Sequence, residues 1–158
     1  MKSVTDTIRI AAPLDKVYDC CWNAEIWPRI TSHVRQIDLL DTGKDRQRIR
    51  MVVENDGKLY TVESIRSAIP GSLITYQQTK LPEFLSEHSG EWHFSFAGAE
   101  TSVQLTHRFK AKEEVARRIL GLAENADVDA YVGQRLKQNG LLTLNAVKRT
   151  LEQTDQIQ

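Results

Sequence analysis

Arg46–Ala68 reads RQRIRMVVENDGKLYTVESIRSA. The Asn55-Asp56-Gly57 triplet at its centre is a strong hairpin signal, because Asp and Gly accept the left-handed backbone that such turns need. Before it, alternation over Arg46–Glu54 puts Ile49, Met51 and Val53 on one face of a strand. After it, a strand over Lys58–Ala68 carries Tyr60, Val62, Ser64 and Arg66 on one face and Leu59, Thr61, Glu63 and Ile65 on the other. Both faces of this second strand are mixed, so two readings stand. In one, Ile65 faces the core and Arg66 pairs at the surface with Glu63 or a neighbour. In the other, the Tyr60 face is the inner one and Arg66 is a permanent cation aimed into a cavity. A buried guanidinium is costly unless it is paired or meets a ligand, so the second placement implies chemistry.

The same strand-and-turn pattern continues on both sides. Val34–Asp41 and the turn Thr42-Gly43-Lys44-Asp45 precede the hairpin, and Pro70-Gly71, Ser72–Lys80 and the hairpin of Glu91–Ala97 with Thr101–Ala111 follow it. Leu81–Gly90 reads as a longer connection carrying Pro82, Phe84 and Leu85. At the N-terminus, Thr5–Ala11 forms a first strand. Pro13 suits the first turn of a helix containing Leu14, Val17, Tyr18 and Trp22. A second short helix spans Ala24–Ile30, interrupted at Trp27-Pro28 because proline disfavours helix at the residue before it. Glu113–Leu122 is a short helix or ordered loop. Asp127–Gln153 is a long helix with Asp127 and Asp129 near its positive end and an apolar stripe of Leu144, Val147 and Leu151. Residues after Glu152 are expected to fray. Gly133 and Gly140 inside the helix call for a bend or for close approach to a sheet or ligand.

This order predicts an α+β fold: a curved antiparallel sheet of seven strands, two short helices after the first strand, and a long C-terminal helix covering the concave face. A hollow between sheet and helix is a natural small-molecule site. The 158 residues suit one domain, 1–158, with no internal repeat or linker. The 21 basic and 21 acidic side chains give a net charge of +0 without a block of like charge, which speaks against a broad grip on nucleic acid. There is no apolar run long enough to cross a bilayer and no signal-peptide apolar region, so the expectation is a cytoplasmic protein without a membrane partner. Adjacent Cys20 and Cys21 are read as reduced packing residues, since a disulfide between neighbours is strained. His33, His88, His93 and His107 are scattered, with no zinc-like spacing, so no metal is expected.

Several segments resemble the helix-grip superfamily of birch-pollen-allergen-like and START-related proteins, and within it the bacterial aromatic polyketide aromatase/cyclases. Ile10-Ala11-Ala12-Pro13 with Val17-Tyr18-Asp19 resembles the family's opening. Trp22-Asn23 and Ile26-Trp27-Pro28 are similar to its "N-D-I-x-x-W-P", Ser64-Ile65-Arg66 to its "S-x-R" strand, and Trp92 to a tryptophan of the penultimate strand. The resemblance implies aldol ring closure and dehydration of a poly-β-ketone on an acyl carrier protein, with no cofactor. It also turns Arg66 inward, where its donors would hold an enolate oxygen while Ser64 donates or relays a proton. On this reading Arg66→Ala stays folded and loses only its influence on product.

Departures from the family are specific. Val34 stands where the family has a tyrosine after Trp-Pro, and Val62 where it often has tryptophan. His33 is either an exposed loop residue or a general base in place of that tyrosine. His107, on the face of Val103, Leu105 and Phe109, is either a satisfied core histidine or a group that bonds a carbonyl or moves a proton. The candidate catalytic set is therefore Arg66, Ser64 and His107. Tyr60, Val62, Trp92, Phe94, Met51, Phe84, Trp27 and His33 are the candidate substrate contacts. Trp92, Phe94 and Phe96 share a face that is mostly core, and Phe84 with Leu85 forms either a lid or an exposed hinge. The alternative function is a non-catalytic carrier of a quinone or lipid, which needs the hollow but no convergent polar groups.

Overall fold

The computed structural model describes residues 1–157, with side chains through Gln153. The chain runs β1 (Lys2–Ile10), α1 (Leu14–Trp22), a short 3-10 turn (Ala24–Ile26), α2 (Trp27–Ile30), β2 (Val34–Gly43), β3 (Arg46–Asn55), β4 (Lys58–Ile69) and β5 (Leu73–Lys80). It continues with β6 (Leu85–Ala97), β7 (Glu100–Ala111), α3 (Glu113–Leu120) and α4 (Val128–Ile157). The seven strands form one curved sheet in the order β1-β7-β6-β5-β4-β3-β2, and each neighbouring pair is antiparallel. Register shifts in the β2–β3, β4–β5 and β6–β7 pairings are the bulges that let such a sheet bend. α4 continues to Ile157, past the point where fraying is expected, and packs on β1 and β7. Among the described residues no helix is long and apolar enough to cross a membrane.

Local chemistry explains the element boundaries. Asp56 and Gly57 sit at φ 51° and 78°, the paired left-handed conformations of the tight turn read from Asn55-Asp56-Gly57. Pro13 is the residue before α1, extended at φ −62° and ψ 148°, and α1 buries Val17, Tyr18, Cys20 and Cys21. The break in the second helix falls one residue earlier than expected, between Ile26 and Trp27. Pro28 then occupies the first turn of α2, where its missing N–H leaves no bond unmade. Asp127 Oδ1 accepts the Ala130 N–H at 3.1 Å and caps α4.

Two expectations need correction. Strand β6 begins at Leu85, so Ser86–Gly90 belongs to the sheet rather than to a connection. Its polar residues carry no strand propensity, and pairing with β7 from Leu85↔Ala111 through His88↔Phe109 supplies the conformation instead. Phe96 does not share the core with Trp92 and Phe94: near the C-terminal end of β6 it is 59% exposed.

The glycines of α4 lie against the sheet. A Cβ on Gly140 would stand 2.8 Å from both His107 Nε2 and Leu105 Cδ2, and one on Gly133 3.1 Å from Val4 Cγ1. Gly90 in β6 is tighter: its Cβ would meet the Thr106 carbonyl at 2.0 Å and the Tyr76 hydroxyl at 2.7 Å. We expect Gly90→Ala to cost about 1–3 kcal/mol and lower Tm by several degrees, because a backbone carbonyl cannot step aside. Gly43→Ala, with nothing within 4 Å of the new methyl, is the control and should leave Tm nearly unchanged in the same thermal melt.

Candidate functional site

Between the sheet and α4 lies a cavity of about 150 Å³. It sits between two apolar clusters. One joins the α1–α2 corner to the sheet, and the other gathers Phe84, Leu85, Phe109, Ala116, Val128 and Val132 at the opposite end. Of the candidates read from sequence, Arg66, Ser64, His107, Tyr60, Val62, Trp92, Met51, Phe84, Trp27 and His33 all line this cavity. Phe94 does not. It packs edge-on against Tyr18, centroids 5.4 Å apart, and is a core residue rather than a substrate contact. His33 is buried at the cavity, not exposed on a loop, and Phe84 is buried rather than a solvated hinge.

Arg66 is 2% exposed, which decides between the two faces of β4. Its Nη1 donates to the Trp22 carbonyl at 3.1 Å and to Gln47 Oε1 at 2.6 Å, and its Nη2 donates to the Cys21 carbonyl at 2.8 Å. The guanidinium also lies 5.3 Å from the Trp22 ring and 5.2 Å from the Trp27 ring. Burial brings its pKa down to about 10, so the cation persists at neutral pH. Three of its five N–H groups are thus spent on fixing the end of α1 to β4 and β3. The Nε–H and one Nη2–H have no partner among the described residues. Ser64 lines the cavity two residues away on the same face, and its hydroxyl has no hydrogen-bond partner among the described residues either.

A second polar group is built from three adjacent strands. Tyr76 Oη stands 2.5 Å from His107 Nδ1 and 3.0 Å from His88 Nε2, and the two imidazole nitrogens are 3.4 Å apart. Register explains the meeting: Arg66 pairs with Tyr76, Tyr76 with Gly90, and Gly90 with His107. The missing side chain of Gly90 is the gap through which the tyrosine ring reaches across. Burial holds both imidazoles neutral, with His107 lowered to about 4 and His88, which also feels His107, to about 3. Tyr76 is pushed up by burial. His33 Nε2 meets the Thr143 hydroxyl at 3.3 Å, and burial lowers its pKa too.

Tyr76, His88, Gln78, Arg135, Asn139 and Thr143 line the cavity and escaped sequence reasoning. Two signals were available. Ile74, Tyr76 and Gln78 alternate on one face of β5, and Arg135, Asn139 and Thr143 recur every fourth residue along α4. Five buried side-chain atoms find no protein partner among the described residues: His33 Nδ1, Gln78 Oε1, His88 Nδ1, His107 Nε2 and Arg135 Nη2. All five belong to residues lining this one cavity. Each costs about 1–3 kcal/mol when left unmet. The set mixes donors and acceptors, which suits a ligand bearing several carbonyl and hydroxyl groups. Among the described residues no three His, Cys, Asp or Glu are grouped to hold a metal.

Two outcomes follow. Arg66→Ala should not stay folded unchanged, contrary to the expectation from sequence. It strands the Cys21 and Trp22 carbonyls and Gln47, so a loss of about 2–4 kcal/mol is expected by denaturant titration. The histidines make stability sensitive to acid. Their folded pKa values lie below the unfolded value, so the unfolded chain binds more protons as pH drops from about 6.5 toward 4. Between pH 6.5 and 5, where carboxylates remain ionised, each should cost up to about 2 kcal/mol, read as a falling Tm that is shallower in His88→Gln. A flat Tm over that range would contradict the burial of neutral imidazoles.

The chain is 30% identical over 128 residues to the actinorhodin polyketide synthase bifunctional cyclase/dehydratase of Streptomyces coelicolor, covering 80% of this chain and 40% of that protein. It is 30% identical over 145 residues to the granaticin polyketide synthase bifunctional cyclase/dehydratase of Streptomyces violaceoruber, covering 90% and 45%. The crystal structure of the di-domain ARO/CYC protein BexL superposes with a TM-score of 0.85 at 32% identity, over 96% of this chain and 50% of that one. The chain thus spans less than half the length of those curated relatives. Residues 1–148 match the family described as polyketide cyclase / dehydrase and lipid transport, and the chain belongs to that family.

Proposed function

We propose that this chain is a polyketide cyclase/dehydratase domain that closes and dehydrates a ring of a poly-β-ketone presented by an acyl carrier protein. The observation that carries this reading is that five unpartnered buried polar atoms all belong to residues lining one cavity. A poly-β-ketone alternates carbonyl groups with acidic methylenes and exchanges ketone for enol, so it offers acceptors and donors to such a set. A volume near 150 Å³ is one in which a benzene-sized ring fits. The enclosed part of the substrate is then a single nascent ring, with the remaining chain outside the cavity.

Chemically, a methylene proton leaves to a neutral imidazole at His107, and the carbanion attacks a ketone carbon. Negative charge grows on the enolate oxygen, where the two uncommitted N–H groups of Arg66 and the Ser64 hydroxyl supply fixed donors. The attacked ketone oxygen takes a proton and becomes a hydroxyl, and its loss as water with a second α-proton leaves the ring unsaturated. Apolar walls from Trp27, Met51, Val62, Phe84 and Trp92, with Tyr60, hold the chain folded against these groups.

The mostly apolar lining and the family's lipid-transport members favour a second reading, a non-catalytic carrier. The two diverge in a reconstitution with a minimal polyketide synthase. A cyclase shifts the products from spontaneous mixtures to one ring pattern, and Ser64→Ala reduces that shift by roughly 10-fold or more while Tm holds. A folded wild-type chain that leaves the spontaneous mixture untouched removes the catalytic reading and favours the carrier.

A further inference from the structure

Tyr76, His88 and His107 come from β5, β6 and β7, and one hydroxyl hydrogen lies between two imidazoles. That hydrogen has two bonded positions, and each fixes both rings. When Tyr76 donates to His107 Nδ1, His107 carries its hydrogen on Nε2. The tyrosine oxygen then accepts from His88 Nε2–H, which leaves His88 Nδ1 bare. When Tyr76 donates instead to His88 Nε2, it accepts from His107 Nδ1–H. His107 Nε2 is now bare and His88 carries its hydrogen on Nδ1. The two rings therefore hold the same tautomer in either state. Their outer nitrogens are always one donor and one acceptor. Those outer nitrogens, His88 Nδ1 and His107 Nε2, are two of the unpartnered atoms on residues that line the cavity.

We infer that His88, Tyr76 and His107 form a proton relay that takes a hydrogen from a substrate carbon at one imidazole and delivers one to a substrate oxygen at the other. This rests on the cyclase reading and assigns work to two residues that reading does not use. In the addition step, His107 Nε2 takes a methylene proton while the C–H electron pair forms the new carbon–carbon bond. His107 passes its Nδ1 hydrogen to the Tyr76 oxygen, and Tyr76 passes its own to His88 Nε2. His88 gives its Nδ1 hydrogen to the attacked ketone oxygen, whose π pair becomes the O–H bond. The protein gains no atom and no charge, and both rings end in the other tautomer. Loss of water also removes one proton from carbon and gives one to oxygen. Run in the opposite sense, from His88 Nδ1 to His107 Nε2, it returns the relay to its starting state.

The surroundings favour such a path over an imidazolium acid. Burial disfavours a charged form on either ring, so a lone imidazole here is a poor reservoir for a whole proton. A chain of three neutral groups moves the proton without creating one. Gly90 keeps the path short, since any side chain there would meet the Tyr76 hydroxyl.

Two readouts on the intact chain test the relay. Two-bond 1H–15N correlations assign each ring's tautomer in solution. Wild type should show His88 and His107 in the same tautomer or exchanging together, and Tyr76→Phe should uncouple them. In the minimal-synthase reconstitution, Tyr76→Phe and His88→Gln should each lower the ratio of ring-closed to spontaneous products by about 100-fold with His107 still in place. His88→Gln serves as the second variant where Tyr76→Phe fails to fold. Opposite tautomers on the two rings in wild type overturn the relay. An undiminished product ratio in folded His88→Gln also overturns it and leaves the cyclase reading standing. A folded wild-type chain that yields only spontaneous products overturns both.

Discussion

The helical corner that follows β1 is held on the sheet by one buried guanidinium. Arg66 reaches from the middle of β4 to two carbonyls of the last turn of α1, where the helix presents its partial negative charge, and to Gln47 on β3. Trp22 and Trp27 cover the cation with ring faces, and Trp27 Nε1 closes the corner by donating to the Cys20 carbonyl at 3.1 Å. Charged hydrogen bonds to peptide oxygens offset a desolvation that an unpaired cation could not survive. The same side chain that anchors α1 also lines the cavity, and two of its N–H groups have no partner among the described residues. Its fork has more donors than the anchor consumes.

From Arg66 the constraint spreads along the sheet. Gln47, Arg66, Tyr76, Gly90 and His107 are successive partners across five strands, so they form one transverse row whose side chains face the same way. A one-residue slip in any of these pairings would turn part of the row to the outer face. Bulges flanking the row bend the sheet without breaking it, which is how a polar line can run across the floor of a concave surface. α4 completes the enclosure at close range because Gly133 and Gly140 present no side chain to Val4, Leu105 and His107.

Much of this was visible in the chain itself. The Asn55-Asp56-Gly57 turn, the alternation on either side and the long terminal helix are strong local signals, and they carried the architecture. Orientation was weaker, since both faces of Lys58–Ala68 are mixed and only the family resemblance turned Arg66 inward. What the guanidinium does there was out of reach, because its partners are main-chain oxygens that any residue carries. His88 was hidden for another reason. Leu85–Gly90 lacks strand propensity, and its conformation is imposed by β7, a partner far away in sequence. Tyr76 was placed on a strand but not on a face, and its meeting with His107 depends on a glycine between them. Sequence periodicity reports burial, whereas contacts across three strands depend on register.

A folded domain normally satisfies its buried polar groups, and isolated failures scattered through a core would signal poor packing. Here the failures all belong to residues lining one cavity, and none belongs to the two apolar clusters beside it. That distribution is expected when local consistency has been given up at one place for function. A carrier of a wholly apolar guest gains nothing from it, since such a guest cannot meet those atoms and their cost would persist in the complex. Under the proposed relay, a guest that changes between ketone, enol and alcohol meets them in each form, because the imidazoles exchange donor for acceptor as the guest does. The unmet groups are thus better suited to a molecule in transformation than to one in transit.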